Sequence, residues 1–363
     1  KFIFASSVRS HNELELLETF AARLRRRFGS VTRDAYNAYG INKAALAIFR
    51  SLGRVDGSAG GLVANAFGAG NAAEAQTPGA ESPGARLRRL LNRPEPSRCV
   101  NCGDVATARL VEMHGFEIAM TGGSALSLSK FGLGDHGMAT VDDLIDFCSR
   151  AADAIQIPII ADGDDGGGNP LNVYRNIQRY ERAGAACVMI EDLYGAKHLR
   201  GLSEGKILSA DAMVDKIHAA TDARRDPNTV ILTRCDIIAT GGTLEAALDR
   251  VARYAQEGGD VIFVPSIPLD QCSRAVELAQ RPMISGVPSL QAARDNRISV
   301  AFFGGINVLG LGAIDRALEE IAQGGQLGGT GEITLDPDRR WELIRNDDMV
   351  ELAKKYNAQR EDA

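Results

Sequence analysis

Acidic side chains follow three apolar segments in the middle of the chain. Asp162 and Asp164 come directly after the first segment, Glu191 ends the second, and Arg234 and Asp236 end the third. Carboxylates that share one site repel one another, and their pKa values rise unless a cation neutralises them. If the three segments are neighbouring parallel strands, this pattern predicts a site for a divalent cation.

The residue types at these segment ends indicate which cation to expect. Carboxylate oxygens with no grouping of histidines or cysteines beside them favour Mg²⁺, and Mn²⁺ is a substitute with similar preferences. The alternative is that the acids cap the helices that follow, because Asp is favoured at helix N-termini. Capping explains one such position well, but it does not explain three successive segments.

Arg234 is the natural candidate for binding an anion beside the cation. Its permanent charge and forked donors suit a carboxylate or a phosphonate group. The alternative role is a buried ion pair with Glu191 or Asp236. The sequence alone leaves both roles open.

A short turn, Thr121-Gly122-Gly123-Ser124, opens into a helical segment. Backbone N–H groups at such a position could bind the carboxylate of a substrate or a developing oxyanion. The same residues are also typical of an ordinary turn. We therefore regard Thr121, Gly122, Gly123 and Ser124 as candidate substrate-binding residues.

The elements that must position these residues follow a regular pattern. From residue 85 onward, short runs rich in Val and Ile alternate with longer segments of helical period, which is typical of repeated strand–helix units. Eight strands are predicted, at residues 98–101, 117–121, 158–162, 187–191, 229–234, 260–265, 282–285 and 298–303. Eight strands indicate an α/β protein with a (β/α)8 TIM barrel, whereas an open doubly wound sheet normally uses fewer. The acidic side chains then fall at the C-terminal strand ends, where barrel active sites lie.

Four regions are expected along the 363 residues. A small helical segment covers residues 1–55, a flexible linker rich in Gly and Ala covers 56–84, the barrel covers 85–325, and C-terminal helices cover 326–363. The first 60 residues carry ten Lys and Arg against five Asp and Glu, although the whole chain has a net charge of −6. A basic run on a short helix is usually a solvated face, so no nucleic-acid partner is expected.

The cysteines and the hydropathy of the chain indicate where in the cell the protein is expected. The six cysteines lie within apolar segments of a long chain, which favours reduced thiols and a cytoplasmic location. No stretch approaches the roughly 20 uninterrupted apolar residues of a membrane span, so no membrane partner is expected. Cys99 and Cys102 have the spacing of half a zinc site, but no second pair lies nearby, which favours buried strand cysteines.

Three stretches of the sequence match a known family pattern. They are the run ADGDDGGGNPLNVYRNIQRYERAGAACVMIED, the later run ILTRCD and the motif Gly103-Asp104-Val105-Ala106. Together they resemble the isocitrate lyase and phosphoenolpyruvate mutase superfamily, from about Arg86 to about Tyr356. The resemblance implies C-terminal helices that pack across to, or swap with, a neighbouring subunit, and therefore a homodimer or homotetramer.

The resemblance also implies roles for individual acidic side chains. Asp162 would be the direct metal ligand, whereas Asp164 and Glu191 would bind the ion largely through water. Asp135 would face the site from the loop that follows the second strand. Asp162, Asp164 and Glu191 thus match the positions at which family members bind Mg²⁺.

Substrate binding and chemistry are implied in the same way. Gly123 and Ser124 match the positions whose backbone donors bind the substrate carboxylate, and Arg234 matches the substrate-binding arginine. Family members act on 2-oxo and 2-hydroxy acids, and they cleave or form a C–C or P–C bond through a Mg²⁺-stabilised enolpyruvate. Such an ion stabilises negative charge where it develops.

The loop after the fourth strand departs from the family pattern. Family lyases carry a Lys-Arg-Cys-Gly-His motif whose cysteine is the general acid, whereas this chain keeps Lys197 and has Leu199 at the cysteine position. Protonation of the product would then come from Lys197, His198, a metal-bound water or solvent. Decarboxylation makes the least demand on an acid, because carbon dioxide leaves without a proton.

These features predict a Mg²⁺-dependent carbon–carbon lyase or decarboxylase for a small 2-oxo or 2-hydroxy dicarboxylate. The candidate catalytic residues are Arg234, Lys197, His198 and Asp135. Two alternatives stay open. One is P–C bond chemistry of the phosphoenolpyruvate mutase or phosphonopyruvate hydrolase type, and the other is a non-catalytic scaffold that has lost its general acid.

Overall fold

The centre of the molecule is a closed barrel of eight parallel strands. The computed structural model describes residues 81–195, 197, 206–324 and 334–356. The predicted helical segment 1–55, most of the predicted linker, and His198 lie outside these residues. The barrel confirms the (β/α)8 fold expected from the sequence.

The strands lie close to their predicted positions. In chain order they are β1 Ser97–Cys102, β2 Ile118–Thr121, β3 Ile159–Asp162, β4 Cys187–Glu191, β5 Leu193–Tyr194, β6 Lys206–Ile207, β7 Val230–Arg234, β8 Val261–Phe263, β9 Met283–Gly286 and β10 Val300–Phe303. The barrel order is β1-β2-β3-β4-β7-β8-β9-β10, and β10 pairs with β1 to close the sheet. The short strands β5 and β6 form a separate antiparallel pair, which the sequence did not predict.

Helices join the strands and pack on the outside of the barrel. In chain order they are α1 Pro83–Leu91, α2 Val105–Met113, α3 Gly123–Leu126, α4 Val141–Ala154, α5 Pro170–Arg182, α6 Ala210–Ala223, α7 Leu244–Gln256, α8 Cys272–Ala279, α9 Leu290–Asp295, α10 Ile306–Ala322, α11 Pro337–Leu343 and α12 Asn346–Lys355. A π-helical turn, Ser127–Phe131, continues α3. A 3₁₀ turn, Leu269–Gln271, precedes α8.

The barrel strands are buried on both faces. On β4, Cys187 and Met189 belong to the cluster inside the barrel, whereas Val188 and Ile190 pack against the surrounding helices. Strands buried in this way are continuously apolar rather than alternating, because neither face meets water. This explains why the barrel strands appear in the sequence as short Val- and Ile-rich runs.

Helix α1 covers the N-terminal end of the barrel. Leu87, Leu90 and Leu91 belong to the cluster inside the barrel, and the guanidinium of Arg88 donates to the backbone carbonyl of Asn228 just before β7. The helix starts inside the stretch predicted to be a linker. Its first residues, Ser-Pro-Gly, look like loop residues, but the Ser hydroxyl accepts an N–H as the cap and Pro occupies the first turn, both favourable at a helix start.

The last helix of the barrel, α10, carries apolar side chains that are exposed in a single protomer. They include Val308, Leu309, Ile314 and Leu318, each more than half exposed, and no residue of α10 is buried. Such a surface marks an interface when it is contiguous. None of the helices that the structure describes has the length and apolar character needed to cross a membrane.

We predict that Leu87→Ala destabilises the barrel by about 2–5 kcal/mol, because it leaves a cavity at the covered end of the barrel. Leu87 is 1% exposed. The free energy of unfolding from urea titration measures the effect. Leu278→Ala, at a 46% exposed position of α8, is the control and should cost less than about 1 kcal/mol. Equal losses in both variants would contradict this role of α1.

Candidate active site

Three neighbouring strands bring the predicted polar residues to one end of the barrel. Asp162 ends β3, Glu191 ends β4 and Arg234 ends β7. The strands are adjacent, and Glu191 and Arg234 are direct partners in the β4–β7 register. The strand ends therefore place these side chains at the C-terminal mouth of the barrel, where active sites of this fold lie.

Asp162 is held by the backbone on both sides. Its Oδ2 accepts the N–H of Gly123 at 2.8 Å, and its Oδ1 accepts the N–H of Asp164 at 3.1 Å. Tyr180 also donates its hydroxyl to the Asp162 carbonyl at 2.8 Å. The side chain is thus buried and fixed in orientation, and each carboxylate oxygen keeps acceptor capacity for a further partner.

The turn before α3 contacts the acidic cluster. The N–H of Gly123, predicted to bind a substrate carboxylate, donates to the carboxylate of Asp162, because α3 follows β2 and β2 is the neighbour of β3. The role of this turn toward a substrate remains a prediction. Gly122 packs against Asn101 so closely that a Cβ would lie 2.2 Å from its side-chain oxygen. Thr121 is buried and Ser124 is exposed at the mouth, so Ser124 is the member of the turn best placed to meet a ligand.

Asp164 lies beside Asp162 in an unusual backbone conformation. Its φ is +48°, in the left-handed region that Asp tolerates better than most residues. A Cβ added at Gly123 would lie 3.3 Å from Asp162 Oδ2 and 3.7 Å from Asp164 Oδ1. The carboxylates of Asp162 and Asp164 therefore both lie next to Gly123.

Lys197 lies among the predicted metal ligands. Its Nζ donates to Asp164 Oδ1 at 2.7 Å and to Glu191 Oε1 at 2.8 Å, and it lies 3.7 Å from Asp135 Oδ1. The side chain is only 4% exposed. Burial alone would lower the pKa of Lys197, but the carboxylates of Glu191 and Asp164 outweigh it and raise that pKa well above its usual value.

Arg234 makes both of the ion pairs considered from the sequence. Its Nη1 lies 3.0 Å from Glu191 Oε2, and its Nη2 donates to Asp236 Oδ1 at 2.7 Å. The guanidinium carbon lies 5.7 Å from the centre of the Phe263 ring. Arg234 is therefore fixed at the mouth, and its role in binding substrate remains a prediction.

A buried network behind Arg234 was not predicted. Asp192, directly after Glu191, accepts the Asp236 N–H at 2.8 Å, the Tyr254 hydroxyl at 2.9 Å and Nη1 of Arg250 at 3.1 Å. Burial raises the pKa of Asp192, and these hydrogen bonds oppose that shift. The network fixes the backbone after β7. Its signal in the sequence was the Glu-Asp pair at the end of β4, but the partners on α7 lie far away in the chain.

Among the residues that the structure describes, more carboxylates than cations meet at the mouth. Five acids, Asp135, Asp162, Asp164, Glu191 and Asp236, lie around two cations, Lys197 and Arg234. Burial, together with neighbouring carboxylates, raises the pKa of Asp164 to about 6 and that of Glu191 to about 8, against the opposing effect of the two cations. The described part of the site therefore holds more acidic groups than its two cations can neutralise, and the raised pKa values mean that the carboxyls retain protons to a higher pH than usual.

The residues at the mouth fit a hard divalent cation by their chemistry. The donors are carboxylate oxygens, and Glu191 Oε2 and Asp236 Oδ2 are buried without a hydrogen bond of good geometry in the described part of the chain. In the described ranges, no three His, Cys, Asp or Glu side chains form a ready metal site. Lys197 instead lies between two of the expected ligands.

A cavity of about 520 Å³ adjoins the acidic cluster. Its lining residues include Glu191, Lys197, Thr140, Asn172 and Arg175. A volume of this size suits a small molecule. His198, the other predicted acid, lies outside the described residues.

The raised pKa of Glu191 predicts how the free energy of unfolding depends on pH. A carboxyl whose pKa rises from 4.5 to about 8 on folding stabilises the folded state while it is protonated, so its contribution is lost as the pH rises through about 8. In metal-free protein, the stability of wild type relative to Glu191→Gln should fall by about 1 kcal/mol per pH unit between pH 6 and 8. Urea unfolding with a chelator present measures this difference.

Glu117→Gln is the control, because Arg98 pairs with Glu117 and lowers its pKa despite partial burial. The control should show no such slope between pH 6 and 8. A constant difference between wild type and Glu191→Gln over this range would contradict the predicted ionisation.

Comparisons with known proteins agree with the geometry. A sequence model of the phosphoenolpyruvate phosphomutase family matches residues 87–303. The 2-methylisocitrate lyase of Salmonella typhimurium is 31% identical over 288 residues, which are 76% of this chain and 96% of that protein. An oxaloacetate decarboxylase of Rhodopseudomonas palustris is 34% identical over 204 residues, which are 56% of this chain and 70% of that protein.

A solved structure shows the same fold. The phosphoenolpyruvate phosphomutase from Streptomyces platensis subsp. rosaceus superposes with a TM-score of 0.69 at 26% identity, covering 75% of this chain and 99% of that chain. These matches confirm the resemblance seen in the sequence. The chain belongs to the phosphoenolpyruvate phosphomutase family, within the isocitrate lyase and phosphoenolpyruvate mutase superfamily, and it is an enzyme of that lyase and mutase type.

Proposed function

We propose that this enzyme is a Mg²⁺-dependent carbon–carbon lyase or decarboxylase that acts on a small 2-oxo or 2-hydroxy dicarboxylate. The observation that carries the proposal is the convergence of Asp162, Asp164 and Glu191 beside Arg234 at the mouth of the barrel, where the described residues include more acids than cations. A dication that replaces the protons of crowded carboxyls removes their mutual repulsion, so such a cluster favours its binding. Mn²⁺ has similar ligand preferences and is proposed as a substitute.

Asp162, Asp164 and Glu191 are the residues proposed to hold the ion. When bound, Mg²⁺ would act as a Lewis acid that draws negative charge from the oxygens of a 2-oxo or 2-hydroxy carboxylate. Asp162 suits this role best, because two backbone N–H groups fix its orientation and leave lone pairs unused.

Arg234 and Lys197 are proposed to bind the carboxylates of the substrate. Arg234 has a permanent charge, and Glu191 and Asp236 hold its guanidinium at the strand ends. Ser124 is exposed at the mouth and adds a hydroxyl donor. These groups would orient an anionic substrate and stabilise the negative charge that develops when a bond next to its carbonyl breaks.

Proton transfer limits the choice of reaction. The pKa of Lys197 is raised by Glu191 and Asp164, so its ammonium is a poor proton donor near neutral pH and serves as a charge partner. Leu199 provides no acid, and His198 remains the predicted side-chain donor. Decarboxylation suits this site because carbon dioxide leaves without a proton and solvent can protonate the remaining carbanion.

The relatives support this class of reaction and one alternative. The names of two relatives are 2-methylisocitrate lyase and oxaloacetate decarboxylase, both of which describe the breaking of C–C bonds. The family model and a solved structure instead bear the name phosphoenolpyruvate phosphomutase. P–C bond chemistry on a phosphonopyruvate-like substrate is therefore the second candidate.

The assembly and location are also proposed rather than observed. The exposed apolar side chains of α10, including Leu309 and Leu318, support packing of the C-terminal helices against a second subunit in a homodimer or homotetramer. All six cysteines are free and buried, which supports a reducing, cytoplasmic location.

Turnover assays on the full chain separate the two reactions. Oxaloacetate, 2-methylisocitrate and phosphonopyruvate are supplied in turn, each with Mg²⁺ and each with a chelator. We expect release of carbon dioxide or cleavage of a C–C bond that requires the metal. Turnover of phosphonopyruvate alone would contradict the first choice and favour the second.

We predict that Asp162→Ala lowers kcat by about 100-fold or more, because it removes the proposed direct ligand of the ion. Steady-state kinetics with the preferred substrate measures the loss. Asp165→Asn is the matched control from the same loop, since the Asp165 carboxylate faces Lys216 at 3.2 Å. The control should keep kcat within about threefold. Unchanged turnover in Asp162→Ala would contradict the proposed metal site.

A further inference from the structure

The ammonium of Lys197 lies where the carboxylates proposed to bind magnesium meet. Its Nζ is 2.7 Å from Asp164 Oδ1, 2.8 Å from Glu191 Oε1 and 3.7 Å from Asp135 Oδ1. These acids come from three separate parts of the fold: the loop after β3, the end of β4 and the loop before α4. A single cation thus neutralises carboxylates that the chain brings together from a distance.

We propose that Lys197 competes with magnesium for this cluster. In the metal-free enzyme the Lys197 ammonium donates hydrogen bonds to Asp164 and Glu191, and it must leave them when the metal binds. This inference rests on the magnesium site of the proposed function, and it adds that the enzyme carries its own competing cation.

The contacts explain why both cations cannot use the cluster at once. The two hydrogen bonds of Lys197 engage one oxygen of Asp164 and one of Glu191, oxygens that would otherwise face the metal or its waters. A dication in the same cluster would also repel an ammonium held a few ångströms away, most strongly because the side chains are buried. Asp162 is held differently, because its two carboxylate oxygens accept the backbone N–H groups of Gly123 and Asp164.

Displacement would also change what Lys197 can bind. Once its ammonium leaves Glu191 and Asp164, the charge is available to an anionic substrate that enters the mouth. Lys197 lies three residues after Tyr194, which ends β5 at the rim of the neighbouring cavity. The enzyme would then bind metal before substrate, because metal binding releases the substrate's charge partner.

A second buried lysine, Lys216, lies outside the cluster of proposed metal ligands. Lys216 is as buried as Lys197, but it donates to the carbonyl of Asp165 at 2.6 Å and to its Oδ2 at 3.2 Å. Neither contact involves a proposed metal ligand. Lys216 therefore provides a control with the same burial and charge outside the cluster.

Calorimetric titration of Mg²⁺ into metal-free, full-length protein tests the competition. We expect Lys197→Met to lower the dissociation constant for Mg²⁺ by about tenfold or more, because the competing charge is gone. Lys216→Met should leave the constant within about twofold of wild type. Equal or weaker Mg²⁺ binding by Lys197→Met, with wild-type binding intact, would overturn the competition and leave the magnesium site standing.

Lysine labelling of the wild-type enzyme tests the same claim without a substitution. Mass spectrometry reports modification of Lys197 and Lys216 by an amine-reactive ester, with and without saturating Mg²⁺. We expect labelling of Lys197 to rise about fivefold or more with Mg²⁺ and labelling of Lys216 to stay constant. Unchanged labelling of Lys197 would overturn the inference. Absence of Mg²⁺ binding in all three proteins would contradict the proposed function as well as this inference.

Discussion

In the part of the chain that the structure describes, the fold brings more acidic than basic side chains to the C-terminal end of the barrel, and this crowding of carboxyl groups determines how the surrounding residues are arranged. Parallel pairing of β3, β4 and β7 places the acids side by side. Lys197 and Arg234 enter the cluster as counter-charges, and backbone N–H groups hold Asp162. Burying like charges together costs stability unless cations compensate. Clusters of buried ionisable groups with perturbed pKa values are typical of functional sites, where the chemistry requires those groups.

Much of the barrel could be predicted from the sequence because its signals are local. Strand β4 was predicted at its observed bounds, Cys187–Glu191, since a short and continuously apolar run is typical of a strand buried on both faces. The start of α1 was missed because a Ser-Pro-Gly sequence looks the same in a linker and at a capped helix. What distinguishes the two is the contact of Leu87 with the barrel interior, and a contact between distant parts of a chain has no local signal.

The sequence predicted which residues lie at the candidate site but not the hydrogen bonds and ion pairs between them. The acids at the strand ends and Arg234 were recognised because barrel topology brings strand ends together. The partner of Gly123 was not, because a backbone N–H can serve a ligand or a neighbouring carboxylate and only the β2–β3 geometry decides between them. Lys197 was predicted as a catalytic residue, but its position between Asp164 and Glu191 depends on a balance of charges that residue spacing does not encode.

A crystal structure of the full chain with Mg²⁺ and oxalate tests the central claim most directly. Oxalate presents two adjacent carboxylates, as a 2-oxo acid presents a carboxylate beside a carbonyl. We expect metal density beside the Asp162 carboxylate and the Lys197 ammonium withdrawn from Asp164 and Glu191. An ordered mouth with no metal beside Asp162, and with Lys197 still bound to both carboxylates, would contradict it.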